Sequence, residues 1–445
     1  MQTNEMIETV IALLKDRSLD GWEVAAASSR LLSIEVKEQK VDTFKCSAPG
    51  GVSIRVLKNG GMGFSYSTSM EPSDLARMVE NALVGAETQT PDEHHAFPDP
   101  RTCPEIAGLY DEGLAAVPEA EKVERAMELE RLVMAADPRV KRVRKCSFGE
   151  STVETRIVNS RGVDVSSRGT SVSASVSAIA EENGNSQMGW DFDFANRFAD
   201  LSVERIAARA VAKAVGLLGA AKIPTMRCPA VLDSYVATEI LEVLASAFLA
   251  ESVQKGKSLL AGKKGERIIS PLLRVRDDGT LPGGMGTAPF DSEGVPKQNT
   301  ILVEDGVLLG YLYDTLRARK DGVESTGNAG RGGIKSPPHM GVSNLFIENG
   351  AVSLDDLMAG IGRGIFLTDV MGMHTANPIS GDFSVGAAGF LIEEGRVTVP
   401  VKGIAIAGNI LELFRGVEGV GNDLRLYGTV GSPSLRIAAL DVSGE

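Results

Sequence analysis

Apolar residues fall at helical spacing where the chain begins. Met6, Ile7, Val10, Ile11, Leu13 and Leu14 share one side of a helix expected over residues 4–16. The period then drops to two. Trp22–Ala27 and Leu31–Val36 read as strands. Val52–Leu57 and Met62–Tyr66 read as two more, joined by the turn Asn59-Gly60-Gly61. Helical spacing returns over 73–86, with Pro72 near the first turn. From 88 to 117 the pattern dissolves among Pro91, Pro98, Pro100 and Pro104, which marks a linker or long loop. Pro118 opens a long helix to about Ala136, closed by Asp137-Pro138. Strands at 141–149, 151–158 and 163–180 follow, the last two joined by Asn159-Ser160-Arg161-Gly162. A helix over 203–218 ends the segment.

Two stretches of this pattern match. Met62-Gly63-Phe64, Tyr66 and Ser73-Asp74-Leu75 lead into an alanine-containing helix. Met188-Gly189-Trp190, Phe192 and Ala199-Asp200-Leu201-Ser202 lead into another. Residues 1–115 and 116–225 are therefore read as two similar α/β units, an internal repeat. Beyond Met226, Ala230–Leu232 reads as a strand and Ser234–Glu251 as a helix capped by Asp233 or Ser234. After Gln254 the chain is rich in glycine and strand signals to its end. The expected fold is α+β: two similar N-terminal α/β units, then a large antiparallel β-rich C-terminal domain over 226–445 that carries the 234–251 helix.

The densest stretch lies between Pro289 and Gly333. Asp291-Ser292-Glu293-Gly294 makes a tight acidic turn. The runs Thr300–Val303 and Val307–Tyr313 flank Glu304-Asp305-Gly306, a hairpin signal because glycine takes positive φ at little cost. A polar and basic stretch, Asp314–Lys320, leads to the small-residue loop Ser325–Gly330. A hairpin that delivers such loops to one edge is a binding scaffold. Asp291, Arg317, Arg319 and Asn328 are the expected polar contacts to a peptide or partner; the alternative is that they brace the β-rich domain internally.

Charge and composition narrow the classes. The formal net charge over 445 residues is -13, and this balance argues against direct nucleic-acid binding. Cys46, Cys103, Cys146 and Cys228 form no CxxC pair, which leaves zinc ribbons and redox motifs unsupported and suits a reducing cytoplasm. No apolar run approaches the ~20 residues of a membrane span. The His94-His95 pair has no third ligand beside it. Gly283-Gly284-Met285-Gly286 and Gly360–Gly364 follow no strand into a helix and read as turns, not phosphate loops. A stand-alone hydrolase is a second reading, but no G-x-S-x-G elbow is present. A scaffold that grips an extended peptide along a sheet edge is a third.

The motifs Asp291–Pro296, Gly310–Asp314, Ser325–Gly330, Gly381–Phe390 and Pro400–Asn409 together resemble the TldD/PmbA family, historically called modulators of DNA gyrase. The run Gly-Asp-Phe-Ser-x-Gly-Ala-Ala-Gly-Phe over 381–390 resembles its PmbA (TldE) branch. The resemblance spans nearly the whole chain and implies a dimer. It also implies a role in a zinc peptidase pair acting on unfolded or extended peptides. In the TldD branch a helix bearing His-Glu-x-x-x-His, with a later cysteine, holds zinc, and the metal activates a water. The corresponding helix here, Thr238–Phe248, contains no histidine, and no cysteine follows Cys228. Glu239, Glu242 and Glu251 remain, and carboxylates alone make a weak zinc site. His339 and His374 stand in separate loops. The resemblance thus implies a non-catalytic subunit with no catalytic residue, metal ligand or cofactor of its own. Zinc is expected in a TldD-type partner, and the working form is a heterodimer with that subunit or a homodimer.

Overall fold

The computed structural model describes residues 2–15 and 17–444; the last position of the expected 4–16 helix lies outside them. Helix α1 runs Gln2–Leu14. It is followed by β1 (Gly21–Lys37), β2 (Lys40–Ser47), β3 (Gly50–Lys58), β4 (Gly61–Ser67) and α2 (Pro72–Thr88). After the proline-rich loop come α3 (Glu119–Ala136), β5 (Val140–Asn159), β6 (Asp164–Glu182), β7 (Asn185–Ala195) and α4 (Val203–Gly216). All seven strands join one antiparallel sheet of order β4-β3-β1-β5-β6-β7, with β2 paired to the far half of β1.

Two pairs of expected strands are each a single strand. Leu31–Val36 continues Trp22–Ala27 through Ser28-Ser29-Arg30, and 141–158 is likewise unbroken. The polar interruption in β1 has a packing cause. Val24 and Ala26 pack with α1 and α2, whereas Leu32, Ile34 and Val36, on the same face of the strand, pack with α3 and α4. One long strand serves two helical layers, and its polar middle lies between them. Strand β2 escapes hydrophobic patterning because seven of its eight residues are exposed and the last is only half-buried.

Gly63 in β4 and Gly189 in β7 occupy similar surroundings at opposite edges of the sheet. A Cβ on Gly63 would lie 1.8 Å from the Ala82 carbonyl oxygen and 2.6 Å from the Ala86 nitrogen. On Gly189 it would lie 2.2 Å from the Ala210 oxygen and 2.3 Å from the Ala214 nitrogen. In both places a helix carrying alanines four apart lies directly on an edge strand, and only glycine admits the approach.

The remainder is built around a helix from two six-stranded sheets and a small two-stranded one. Strand β8 (Met226–Leu232) leads into α5 (Ser234–Ala245), which Asp233 caps through the Tyr235 N–H at 2.7 Å. The expected 234–251 helix is shorter: it tightens to a 3₁₀ turn at Ser246–Phe248, and α6 (Ala250–Gln254) restarts after extended Leu249. Next come β9 (Val275–Asp278), β10 (Asn299–Glu304), β11 (Val307–Leu308) and α7 (Thr315–Asp321). The short strands β12 (Ala329–Gly330), β13 (His339–Met340) and β14 (Leu345–Ile347) follow. The chain closes with β15 (Arg363–Met371), β16 (Asp382–Glu393), β17 (Arg396–Asn409), β18 (Val417–Val420), β19 (Arg425–Tyr427), β20 (Val430–Ser432) and β21 (Leu435–Ser443). One sheet has the order β11-β10-β9-β14-β20-β19. The other has the order β17-β16-β15-β8-β21-β18, and a further β17–β21 pairing closes most of it on itself. Most pairings are antiparallel, with parallel exceptions at β14–β20 and β15–β8.

Helix α5 contacts both sheets and buries Val236, Ile240, Leu241 and Leu244 in the largest core cluster. The hairpin at Asp305-Gly306 forms with both residues at positive φ, 47° and 78°. Its second arm ends at Leu308 rather than Tyr313, and the polar stretch after it is helix α7, capped by Asp314. Among the described residues no helix is long and apolar enough to cross a membrane.

Candidate functional site

The exposed side of α5 carries Tyr235, Glu239, Glu242 and Ser246, spaced three or four apart and so aligned on one face. Glu239, Glu242 and Ser246 form one wall of a groove of about 370 Å³ whose other wall holds Met373, His374 and Pro378. Burial raises the Glu239 carboxyl above the usual carboxylate range. The charge of Glu242 and, less, that of Asp369 push the same way, while a hydrogen bond from Tyr235 opposes them. The groove is thus acidic and close to the surface. Among the described residues no group of three or more histidine, cysteine, aspartate or glutamate side chains is placed to hold a metal ion.

A second constellation joins the two expected loops. Asp291 is buried and its carboxylate accepts three backbone N–H groups: Glu293 at 2.8 Å, Val295 at 3.0 Å and Ala329 at 3.0 Å. Ser292 N–H donates to the Ala329 carbonyl at 2.8 Å. Asn328, also buried, donates to Asp277 at 2.6 Å and to the Gly341 carbonyl at 3.1 Å. Of the expected contact residues, Asp291 and Asn328 therefore point inward and hold loops together. Arg317 is half-buried on α7 and pairs with Glu251 and with Asp314, the latter at 3.2 Å. Arg319 is exposed in the last turn of α7. The structure brings Asp291 and Asn328 into one loop cluster and leaves the two arginines on the neighbouring helix.

Sequence reasoning missed the side chains that tie this cluster to the N-terminal sheet. Arg55 on β3 grips Glu23 on β1 with two bonds, 3.0 and 2.6 Å, and reaches Glu293 at 2.9 Å. Arg331 adds Ser53 at 2.6 Å, Glu23 at 3.1 Å and the Ser292 carbonyl at 3.3 Å. Glu293 turns its other oxygen to the N–H of Thr315, at the start of α7. Burial alone would lower the Arg55 guanidinium, yet Glu23 and Glu293 outweigh it and hold it above the ordinary arginine value. Two acids and two bases from distant stretches thus alternate in a nearly dry junction. Only the charged residues inside apolar runs, Glu23 and Arg55, could have signalled it.

Three family descriptions cover most of the chain. The PmbA/TldA metallopeptidase domain 1 matches residues 22–86, the central domain 112–218 and the C-terminal domain 225–444. The chain belongs to the PmbA/TldD family. Metalloprotease PmbA of Escherichia coli O157:H7 is 28% identical, over 99% of this chain and 96% of that protein. A metalloprotease of Methanothermobacter thermautotrophicus is 30% identical, over 95% and 92% respectively. Among solved structures, TldE from Thermococcus kodakarensis superposes with a TM-score of 0.90 at 26% identity, covering 100% of both chains. A Thermotoga maritima protein named as a candidate modulator of a DNA gyrase superposes with a TM-score of 0.90 at 30% identity, covering 99% of this chain and 100% of that one.

The family's metallopeptidase name implies a metal ion, and the residues on α5 do not fit a zinc site. Zinc takes imidazole, thiolate and carboxylate ligands in tetrahedral sets in which nitrogen or sulfur is favoured. The exposed face of α5 offers glutamates, with a single histidine across the groove. The PmbA/TldD scaffold is present here with a helix whose side chains suit polar or cationic contacts instead.

Proposed function

We propose that this chain is the non-catalytic subunit of a PmbA/TldD-type metallopeptidase pair, holding extended peptides for a zinc-bearing TldD-type partner in the cytoplasm. The observation that carries this reading is helix α5. It keeps its place between two sheets and its acidic exposed face, yet has no imidazole or thiolate to offer a metal. Of the four side chains expected to make contacts, exposed Arg319 is best situated to meet the partner, whereas Asp291 and Asn328 brace the loops from inside. The test is an unstructured protein substrate incubated with this chain, with the partner, and with both. Chelator-sensitive cleavage is expected only when both are present, and zinc is expected to copurify with the partner alone. Chelator-sensitive cleavage by the pure single chain would overturn the proposal. Absence of cleavage from the pair would leave a peptide-binding scaffold in its place.

A further inference from the structure

Strand β7 is the last strand of its sheet and pairs only with β6. The Phe192 carbonyl points away from β6, since it accepts Arg425 at 2.7 Å. Residues two apart on a strand present their backbone groups to the same side. Met188 and Trp190 therefore also turn their N–H and C=O outward, where no strand meets them. Beside this edge is a cavity of about 200 Å³, walled by Met188, Trp190, Leu217, Tyr235 and Phe390, with Lys213, Asp233 and Asp369 among its polar lining. The walls come from both halves of the molecule. The Trp190 and Tyr235 rings meet edge-on, centroids 5.5 Å apart. Gly216, at the end of α4, lets the Phe390 ring approach, since a Cβ there would lie 3.2 Å from it. The Lys213 ammonium lies 5.1 Å from the Trp190 ring and 5.5 Å from the Tyr235 ring. It is 3.5 Å from Asp191, whose carboxylate Arg425 already holds at 2.9 and 3.0 Å.

An open strand edge recognises extended backbone, and a cavity beside it selects a side chain. Three aromatic rings and a leucine suit a large apolar group, and the Lys213 ammonium beside two of those rings favours a guest that offers it an aromatic face. We propose that the edge of β7 at Met188–Trp190 binds an extended peptide, one of whose aromatic side chains seats among Trp190, Tyr235 and Phe390. This rests on the reading of the chain as a holder of extended peptides and names the side-chain class that it selects.

The chain has two tryptophans, so Trp22→Phe leaves Trp190 as the only indole and a reporter in the cavity wall. The probes are short unstructured peptides of serine, threonine and glutamate, with a central phenylalanine or with alanine in its place. A saturable change in Trp190 emission is expected with the phenylalanine peptide, and binding at least about tenfold weaker with the alanine peptide. Methylating the backbone nitrogens on one side of the phenylalanine peptide should abolish binding. Ala212 lines the cavity from an exposed position on α4, so Ala212→Phe fills the space without disturbing the core. That variant should unfold at the wild-type temperature and bind both peptides equally weakly. Equal affinity for the two peptides in the parent, indifference to N-methylation, or undiminished binding by Ala212→Phe would overturn the site. A chain that supports cleavage with its partner and yet shows no phenylalanine preference loses this site and keeps its subunit role.

Discussion

Asp291 accepts the backbone N–H of Ala329, 38 positions along the chain, at 3.0 Å. With the Glu293 and Val295 amides it forms a staple between two loops that carry the densest family motifs. The staple is buried, so its removal strands donors that water does not easily reach. Leaving one buried group unpaired costs about 1–3 kcal/mol. Asp291→Ala is therefore expected to destabilise the protein by about 3 kcal/mol or more, read as a lower calorimetric unfolding temperature. A change within error would mean that water replaces the carboxylate at little cost.

The junction between Glu23 and Arg55 predicts non-additivity. Arg55→Met leaves Glu23 with only Arg331 and removes the cation beside Glu293. Breaking one side of a buried pair typically costs about 3–5 kcal/mol. Adding Glu293→Gln to Arg55→Met should recover part of that loss, since the carboxylate left without its ion-pair partner is gone. A double variant whose loss equals the sum of the two single losses would show that the charges are not coupled as drawn.

Asp277 predicts a pH dependence. It is buried, and burial pushes its carboxyl up to about 6, while the bonds from Asn328 and Ser343 oppose the rise. A group raised on folding binds its proton more tightly in the folded state. Its stabilising contribution is thus full below about pH 4, the ordinary aspartate range, and is lost as pH rises through about 6. A rise of this size corresponds to about 3 kcal/mol. Asp277→Asn lacks the term, so the variant's deficit against the wild type should be largest near pH 4 and shrink toward pH 7. Denaturant unfolding of both proteins across that range is the measurement, and a constant deficit would count against the raised carboxyl.

How far the sequence carried this picture depends on what each signal measures. Periodicity located α2 and α3 because each has one buried and one wet face, the condition that patterning detects, and the Asp305-Gly306 turn located the β10–β11 hairpin. It divided β1 and β5, since a strand shared by two helical layers is polar where the layers part. It missed β2, which is exposed along nearly its whole length. It extended α5 through Ser246–Phe248 because the buried Ala247 and Phe248 keep helical spacing after the backbone has tightened. At the candidate site, the acidic turn and the small-residue loop were legible as motifs, and the absence of histidine on α5 was plain to see. The ion-pair partner of Glu293 was not, because Arg55, with Glu23 beside it, lies over two hundred positions away inside an ordinary strand pattern.

The two close-packed glycines make a matched pair of tests. Gly63 and Gly189 each lie under a helix whose alanine backbone would be struck by a single added carbon, at 1.8 and 2.2 Å. The atoms in the way are backbone carbonyls, which cannot swing aside as a side chain can, so the helix must move bodily. Forcing extra volume into a packed site costs about 1–3 kcal/mol, and more where backbone is displaced. Gly63→Ala and Gly189→Ala should each destabilise at the upper end of that range. Shifting α2 leaves the cavity beside β7 untouched, whereas shifting α4 moves Lys213 and Leu217 in its wall. At a temperature where both variants remain folded, Gly63→Ala should keep the affinity for the phenylalanine peptide and Gly189→Ala should lose it. Equal peptide affinity in the two variants would separate the packing of α4 from the shape of the cavity.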